Sequence, residues 1–178
     1  MQTWIALFLG INVGGNNKLP MKDLKLAMEA AKLNKVRTYI QSGNVIFETT
    51  AKSPKRLSTK LGKIVFDNFG FEPAVMVLSG AHLSQAVDSN PFPESKSDPK
   101  TLHLFFLDSE PGDYAPEKFQ EVALPSEQFK LLGDVFYLYT PDGMARSKLG
   151  AKAEKLLGVS ATARNLRTAT KILELIDG

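Results

Sequence analysis

Apolar residues run without a break from Trp4 to Leu9. That length predicts a central strand covered on both faces, and it is far short of a membrane span. No basic segment precedes it, so the N-terminus reads as a strand rather than a secretion signal. The stretch Gly10–Lys18 is rich in turn residues, and Pro20 suits the opening of a helix bearing Met21, Leu24, Met28 and Ala31. Val36, Thr38 and Ile40 alternate with Arg37, Tyr39 and Gln41, which predicts a half-buried strand. Ser42-Gly43-Asn44 then makes a turn into a hairpin partner at Val45–Glu48. Ser53-Pro54 is a cap followed by proline, opening a helix with Leu57, Leu61, Ile64, Val65 and Asn68 on one face and Gly70 as its stop. Ala74–Leu78 completes a βαββαβ order, the split-βαβ pattern of ferredoxin-like folds.

The remainder repeats that order loosely. A short helix around Leu83, Ala86 and Val87 leads into Asn90–Lys100, whose three prolines suggest a linker or mobile loop. Leu102–Leu107 predicts a second buried strand, and Phe129–Leu132 with Val135–Tyr139 flank Gly133-Asp134 as a second hairpin. Ser147 can cap a helix bearing Leu149, Ala153, Leu156 and Leu157, with Gly158 as its stop. Thr162 is read as the cap of a final helix with Leu166, Ala169, Leu173 and Ile176 on one face. The expectation is therefore an α+β protein of two ferredoxin-like (βαββα-type) subdomains, residues 1–79 and 80–178, with a C-terminal helix in place of a last strand.

Composition narrows the chemistry. The 178 residues are 43% hydrophobic and 23% charged, ordinary values for a globular chain. There is no cysteine, which excludes disulfides, thiolate nucleophiles and cysteine-ligated metals. A reducing, cytoplasmic setting is compatible with this. The net charge of +3 is unevenly spread: residues 1–79 hold 11 basic and 5 acidic side chains, 80–142 hold 4 and 11, and 143–178 hold 7 and 3. Two basic segments flanking an acidic middle would, if they met on one face, attract phosphate-bearing ligands.

Several ordered stretches carry a resemblance. Trp-Ile-Ala-Leu-Phe-Leu-Gly-Ile-Asn-Val-Gly-Gly-Asn-Asn-Lys at residues 4–18, Val36 to Val45, Asp142-Gly143 to Ser147-Lys148-Leu149, and Ala161 to Thr168 resemble the signatures of a bacterial family known as domain of unknown function 1697. The sequence departs from that pattern in having Leu9 before Gly10, where arginine is expected, and Leu166 where an aromatic is common. The first departure removes a positive charge from the loop. The resemblance implies two related α+β subdomains and no activity.

Candidate chemistry is of the binding kind. Gly10, Gly14 and Gly15 lie between a strand and a helix, where backbone amides often cradle phosphate, but their spacing matches neither the dinucleotide nor the P-loop fingerprint. A tight turn needing positive φ is the preferred explanation, and no nucleotide site is assigned to them. Lys18, Arg146 with Lys148, and Arg164 with Arg167 fall at the starts of expected helices, where a positive side chain opposes the helix dipole. A shared anion would explain three such placements. On the expected last helix Arg164, Thr168 and Lys171 share a face. Arg37, Tyr39 and Gln41 face one side of a strand, which raises RNA base stacking as an alternative. His82 and His103 are the only histidines, and no metal, serine-hydrolase or paired-carboxylate spacing appears. No catalytic residue, metal or cofactor is assigned. The expected ligand-binding set is Gly10, Asn12, Gly14, Gly15, Lys18, Arg37, Ser42, Asn44, Arg146, Ser147, Arg164 and Asn165, lining a cleft between the halves. Its expected partner is a small phosphate-bearing ligand, with nucleic acid or a protein partner as alternatives and no membrane.

Overall fold

Strand β1 (Gln2–Phe8) and β3 (Asn44–Thr49) pair antiparallel, with Trp4 opposite Phe47 and Ala6 opposite Val45. These four side chains project from one sheet face onto helices α1 (Met21–Ala30) and α2 (Pro54–Phe69), and they form one core with Leu24, Met28, Leu61 and Val65. Strands β2 (Asn34–Tyr39) and β4 (Val75–Ser79) flank the central pair, giving the order β2-β3-β1-β4. An all-antiparallel sheet in that order, built as βαββαβ, is the ferredoxin-like arrangement. The structure is a computed structural model that describes all residues, Met1–Gly178.

Local chemistry accounts for the helix limits. Ser53 accepts a hydrogen bond from the Arg56 amide at the start of α2, and Gly70 closes it in the left-handed region at φ 82°. A glycine there avoids the Cβ clash that other residues meet.

A second sheet repeats the first. Strands β5 (Leu102–Leu107), β6 (Gln128–Leu132), β7 (Val135–Tyr139) and β8 (Ala161–Asn165) lie in the order β6-β7-β5-β8, all antiparallel. Its helices are the five-residue α4 (Pro116–Gln120) and α5 (Lys148–Leu157). Phe105, Phe119, Phe136, Leu149 and Ala153 form the core on that face. Phe119 lies 5.2 Å from Phe136 and 5.6 Å from Phe129, ring centre to ring centre. Such aromatic contacts let a helix of one and a half turns cover the sheet.

Strand β8 is a correction. The helix expected from Thr162 begins instead at Leu166, as α6 (Leu166–Asp177), and Thr162 and Arg164 belong to a strand. Alternation overrides propensity here. Ala161 and Ala163 join the aromatic core while Thr162 and Arg164 take the other face, and β8 completes the ladder on β5. Asn165 is the actual cap, its Oδ1 accepting from the Thr168 amide at 2.9 Å. Residues 90–100, read as linker, hold a 3-10 turn at Pro93–Lys96, in which the Ser95 hydroxyl donates to the Phe92 carbonyl.

The chain divides into two compact units. Unit 1 comprises Met1–Ser84 with Ile172–Gly178, and unit 2 comprises Gln85–Lys171. The passage from one to the other falls inside α3 (Gly80–Asp88) and again inside α6, beyond the boundary expected at residues 79–80.

Candidate functional site

In unit 1 the expected site residues gather at one end of the sheet, where β1 stops, β2 turns into β3 and β4 begins. The Gly10–Lys18 loop folds back as a small hairpin. The Asn16 amide donates to the Val13 carbonyl and the Asn12 amide to the Asn17 carbonyl, both at 3.1 Å. Gly14 and Gly15 occupy its tip at φ 60° and 80°, as the two central positions of a type I′ turn require. Asn12 and Asn17 also have positive φ, which asparagine tolerates better than most residues.

Asn12 fastens this hairpin to its surroundings. Its Oδ1 accepts from the Leu19 amide at 2.8 Å. Its Nδ2 donates to the carbonyls of Leu19 and of Gln41, each at 2.9 Å. The second bond joins the loop to the β2–β3 turn. Asn17 adds a bond from its Nδ2 to the Gly10 carbonyl. Across the turn, Asn44 donates from Nδ2 to the Tyr39 carbonyl and the Ser42 hydroxyl, and the Gly43 carbonyl receives the Phe8 amide. Gly43 is at φ 83°, and a Cβ there would come within 2.7 Å of Ile11 Cδ1 and 2.8 Å of Phe8 Cβ. Only glycine lets the two loops approach this closely.

The roles of the expected residues therefore differ. Asn12 and Asn44 bind the loops together, and Asn44 is buried. Gly14 and Gly15 are exposed with open space around them, and their amides have no acceptor within the chain. Lys18 is exposed and forms no ion pair. Residues 1–22 and 30–47 contain no aspartate or glutamate. Glu72, which precedes β4, turns its carboxylate onto Gly62 of α2. This end of unit 1 thus presents two amide donors and an ammonium with no carboxylate in either loop.

Arg37 lies further along β2, opposite Ile46 and half-buried, with its Nε lacking a hydrogen-bond partner. Tyr39 shares that face, whose neighbours on the central strands, Ile46, Ile5, Asn44 and Leu7, are all buried.

The unit 2 residues serve other purposes. The Ser147 hydroxyl accepts from the Gly150 amide at 2.8 Å and caps α5, and Asn165 caps α6. Arg146 is exposed on a 3-10 turn at Met144–Arg146. Arg164 points along β8, its Nη1 donating to the Thr162 hydroxyl and the Ala163 carbonyl. Burial pulls its pKa down to about 10. Arg164 is therefore a strand residue and not at a helix start, whereas Arg167 does fall in the first turn of α6. The shared face of Arg164, Thr168 and Lys171 is likewise lost, since Arg164 is not helical and Thr168 is buried. By unit, the charge divides into 11 basic and 7 acidic side chains in unit 1 against 11 and 12 in unit 2.

Two exposed aliphatic residues escaped the sequence reading. Val13 is 68% exposed at the loop tip, and Ile40 is 49% exposed at φ 51° beside Gln41. The pattern Val-Gly-Gly-Asn is itself a tight-turn signal that could have flagged Val13. Ile40 carried none, because strand alternation assigned it inward.

The two four-stranded sheets share the ferredoxin-like strand order, and no group of three His, Asp or Glu side chains is placed to hold a metal ion. The model of the DUF1697 family, described as a protein of unknown function, matches residues 1–137, and the chain belongs to that family. Among solved structures, the conserved bacterial protein SP0830 from Streptococcus pneumoniae is similar at 24% identity. The match covers 97% of each chain with a TM-score of 0.74. That likeness shows the fold. A search of curated proteins gave no match.

Proposed function

We propose that unit 1 is a binding module for a phosphate-bearing ligand, held at the loop end formed by Gly10–Lys18 and the β2–β3 turn. The observation that carries this reading is the pair of unpaired amides at Gly14 and Gly15 in the same loop as Lys18, whose ammonium forms no ion pair. Successive outward N–H groups make a fixed partial positive charge, and a lysine in the same loop adds a full one. The Asn12 bonds keep the donors in place before a ligand arrives, which reduces the entropy lost on binding. Arg146, Ser147, Arg164 and Asn165 take no part in this reading, since two of them are caps and Arg164 is engaged on its own strand.

Titrating inorganic phosphate while recording backbone amide resonances tests the proposal. The Gly14, Gly15 and Lys18 amides are expected to shift together and saturate in the millimolar range, with chloride at equal ionic strength producing no such response. Lys18→Gln weakens the response. Shifts spread evenly over the chain, or none at these three residues, overturn the reading.

A further inference from the structure

The donors at the loop end are flanked by apolar side chains that the fold goes out of its way to expose. Val13 and Ile40 are chain neighbours of Asn12 and Gln41, whose hydrogen bond joins the two loops. Ile40 is a β-branched residue held at φ 51°, a conformation such side chains rarely adopt, and it gains little burial in return. Strain of this kind persists where surrounding bonds impose it, and it clusters at functional surfaces. Leu26 and Phe66, also exposed, lie on ordinary helix surfaces and need no such account.

We propose that this loop end docks on the headgroup surface of an anionic lipid bilayer. The Gly14 and Gly15 amides and Lys18 would take lipid phosphate while Val13 and Ile40 enter the acyl boundary. The proposal rests on the phosphate reading above and names the source of the phosphate. Three features select a lipid surface. The tips are aliphatic, whereas nucleic-acid bases are held by stacking on aromatic rings. Residues 13–18 are all exposed, so the donors stand on a convex surface rather than in the concave sites that enclose small metabolites. The absence of carboxylates from both loops suits a negatively charged membrane, which attracts basic groups within a Debye length. No helix is long and apolar enough to cross a membrane, so the contact would be peripheral. The sequence reading expected no membrane partner because the apolar run Trp4–Leu9 is far short of a membrane span.

Co-sedimentation of the full chain with vesicles tests this. Binding is expected with phosphatidylcholine vesicles containing phosphatidylglycerol, not with phosphatidylcholine alone, and it should fall as salt is raised. The double variant Val13→Ser/Ile40→Asn should partition about tenfold or more weakly, since both apolar contacts are gone. Its Gly14 and Gly15 amides should still respond to inorganic phosphate. Asparagine accepts positive φ, so the variant keeps its fold. Vesicle binding equal to the parent's in the double variant overturns the proposal. A phosphate response with no vesicle binding also overturns it and leaves the phosphate reading standing. Absence of both removes the phosphate reading as well. Binding of a single-stranded oligonucleotide through the same residues, with no vesicle binding, shows a nucleic-acid surface instead.

Discussion

Replacing Asn12 by alanine removes three hydrogen bonds at once, two of them to the backbone of Leu19. Leu19 is fully buried, so its amide and carbonyl would be left without partners, at about 1–3 kcal/mol each. The Gln41 carbonyl is at an exposed residue, and water replaces that bond. Asn12 also sits at φ 53°, where alanine meets a Cβ clash of roughly 1–2 kcal/mol. The lower ends of these values sum to about 3 kcal/mol, which for a chain of this size lowers the melting temperature by about 2–4 °C per kcal/mol. Trp4, the only tryptophan, lies buried in the unit 1 core, so urea unfolding followed by its fluorescence reports on this unit. Asn12→Asp keeps the Oδ1 acceptor for the Leu19 amide and loses the two donors, and it should fall between parent and alanine variant. A change below about 1 kcal/mol for Asn12→Ala would refute the reasoning, because the buried Leu19 groups would then have found other partners.

Gly43→Ala places a methyl group against Ile11 and Phe8 in a left-handed conformation, and a loss of roughly 2–5 kcal/mol is expected by the same fluorescence assay. Ser147→Ala removes the α5 cap and should lower stability by about 1 kcal/mol in urea denaturation followed by helical circular dichroism, with Ser147→Thr retaining most of it. Burial lowers the pKa of His103, whose Nδ1 has no partner, so its contribution is present above the ordinary histidine value of 6.5 and is lost as pH falls below it. His103→Asn should flatten the stability profile on the acid side of that value, and an unchanged profile would contradict the account. Burial and the nearby Asp134 charge raise the Tyr137 pKa to about 12, and its hydroxyl donates to the Ala86 carbonyl. Its contribution is complete below pH 10 and lost between there and about 12, so Tyr137→Phe should remove that alkaline slope in a pH series of unfolding measurements.

How much of this was legible beforehand depended on whether the signal was local. Ser53, Gly70, Ser147 and Gly158 mark helix ends by chemistry acting within four residues, and each was readable. The strand pairs around Gly133 and Ser42–Asn44 were readable for the same reason. Thr162 misled because a threonine before a helical stripe is a good cap, while the pull of β5 on residues 161–165 comes from a strand over fifty residues away. Asn12, Gly14, Gly15, Lys18, Ser42 and Asn44 do meet at one end of unit 1. Arg37 lies further along β2, and Ser147, Arg164 and Asn165 have other occupations that no spacing rule reveals.

The order of strands and helices, the caps and the glycine turns follow from neighbouring residues and from the period of apolar positions, and the chain alone determines them. The folded structure decided which carbonyl Asn12 would reach across twenty-nine residues. It also decided that the Arg164 head would be spent on its own strand, and that Val13 and Ile40 would be left in the open. Those outcomes depend on side chains brought together by sheet pairing, and the distances between strands are absent from any window of sequence.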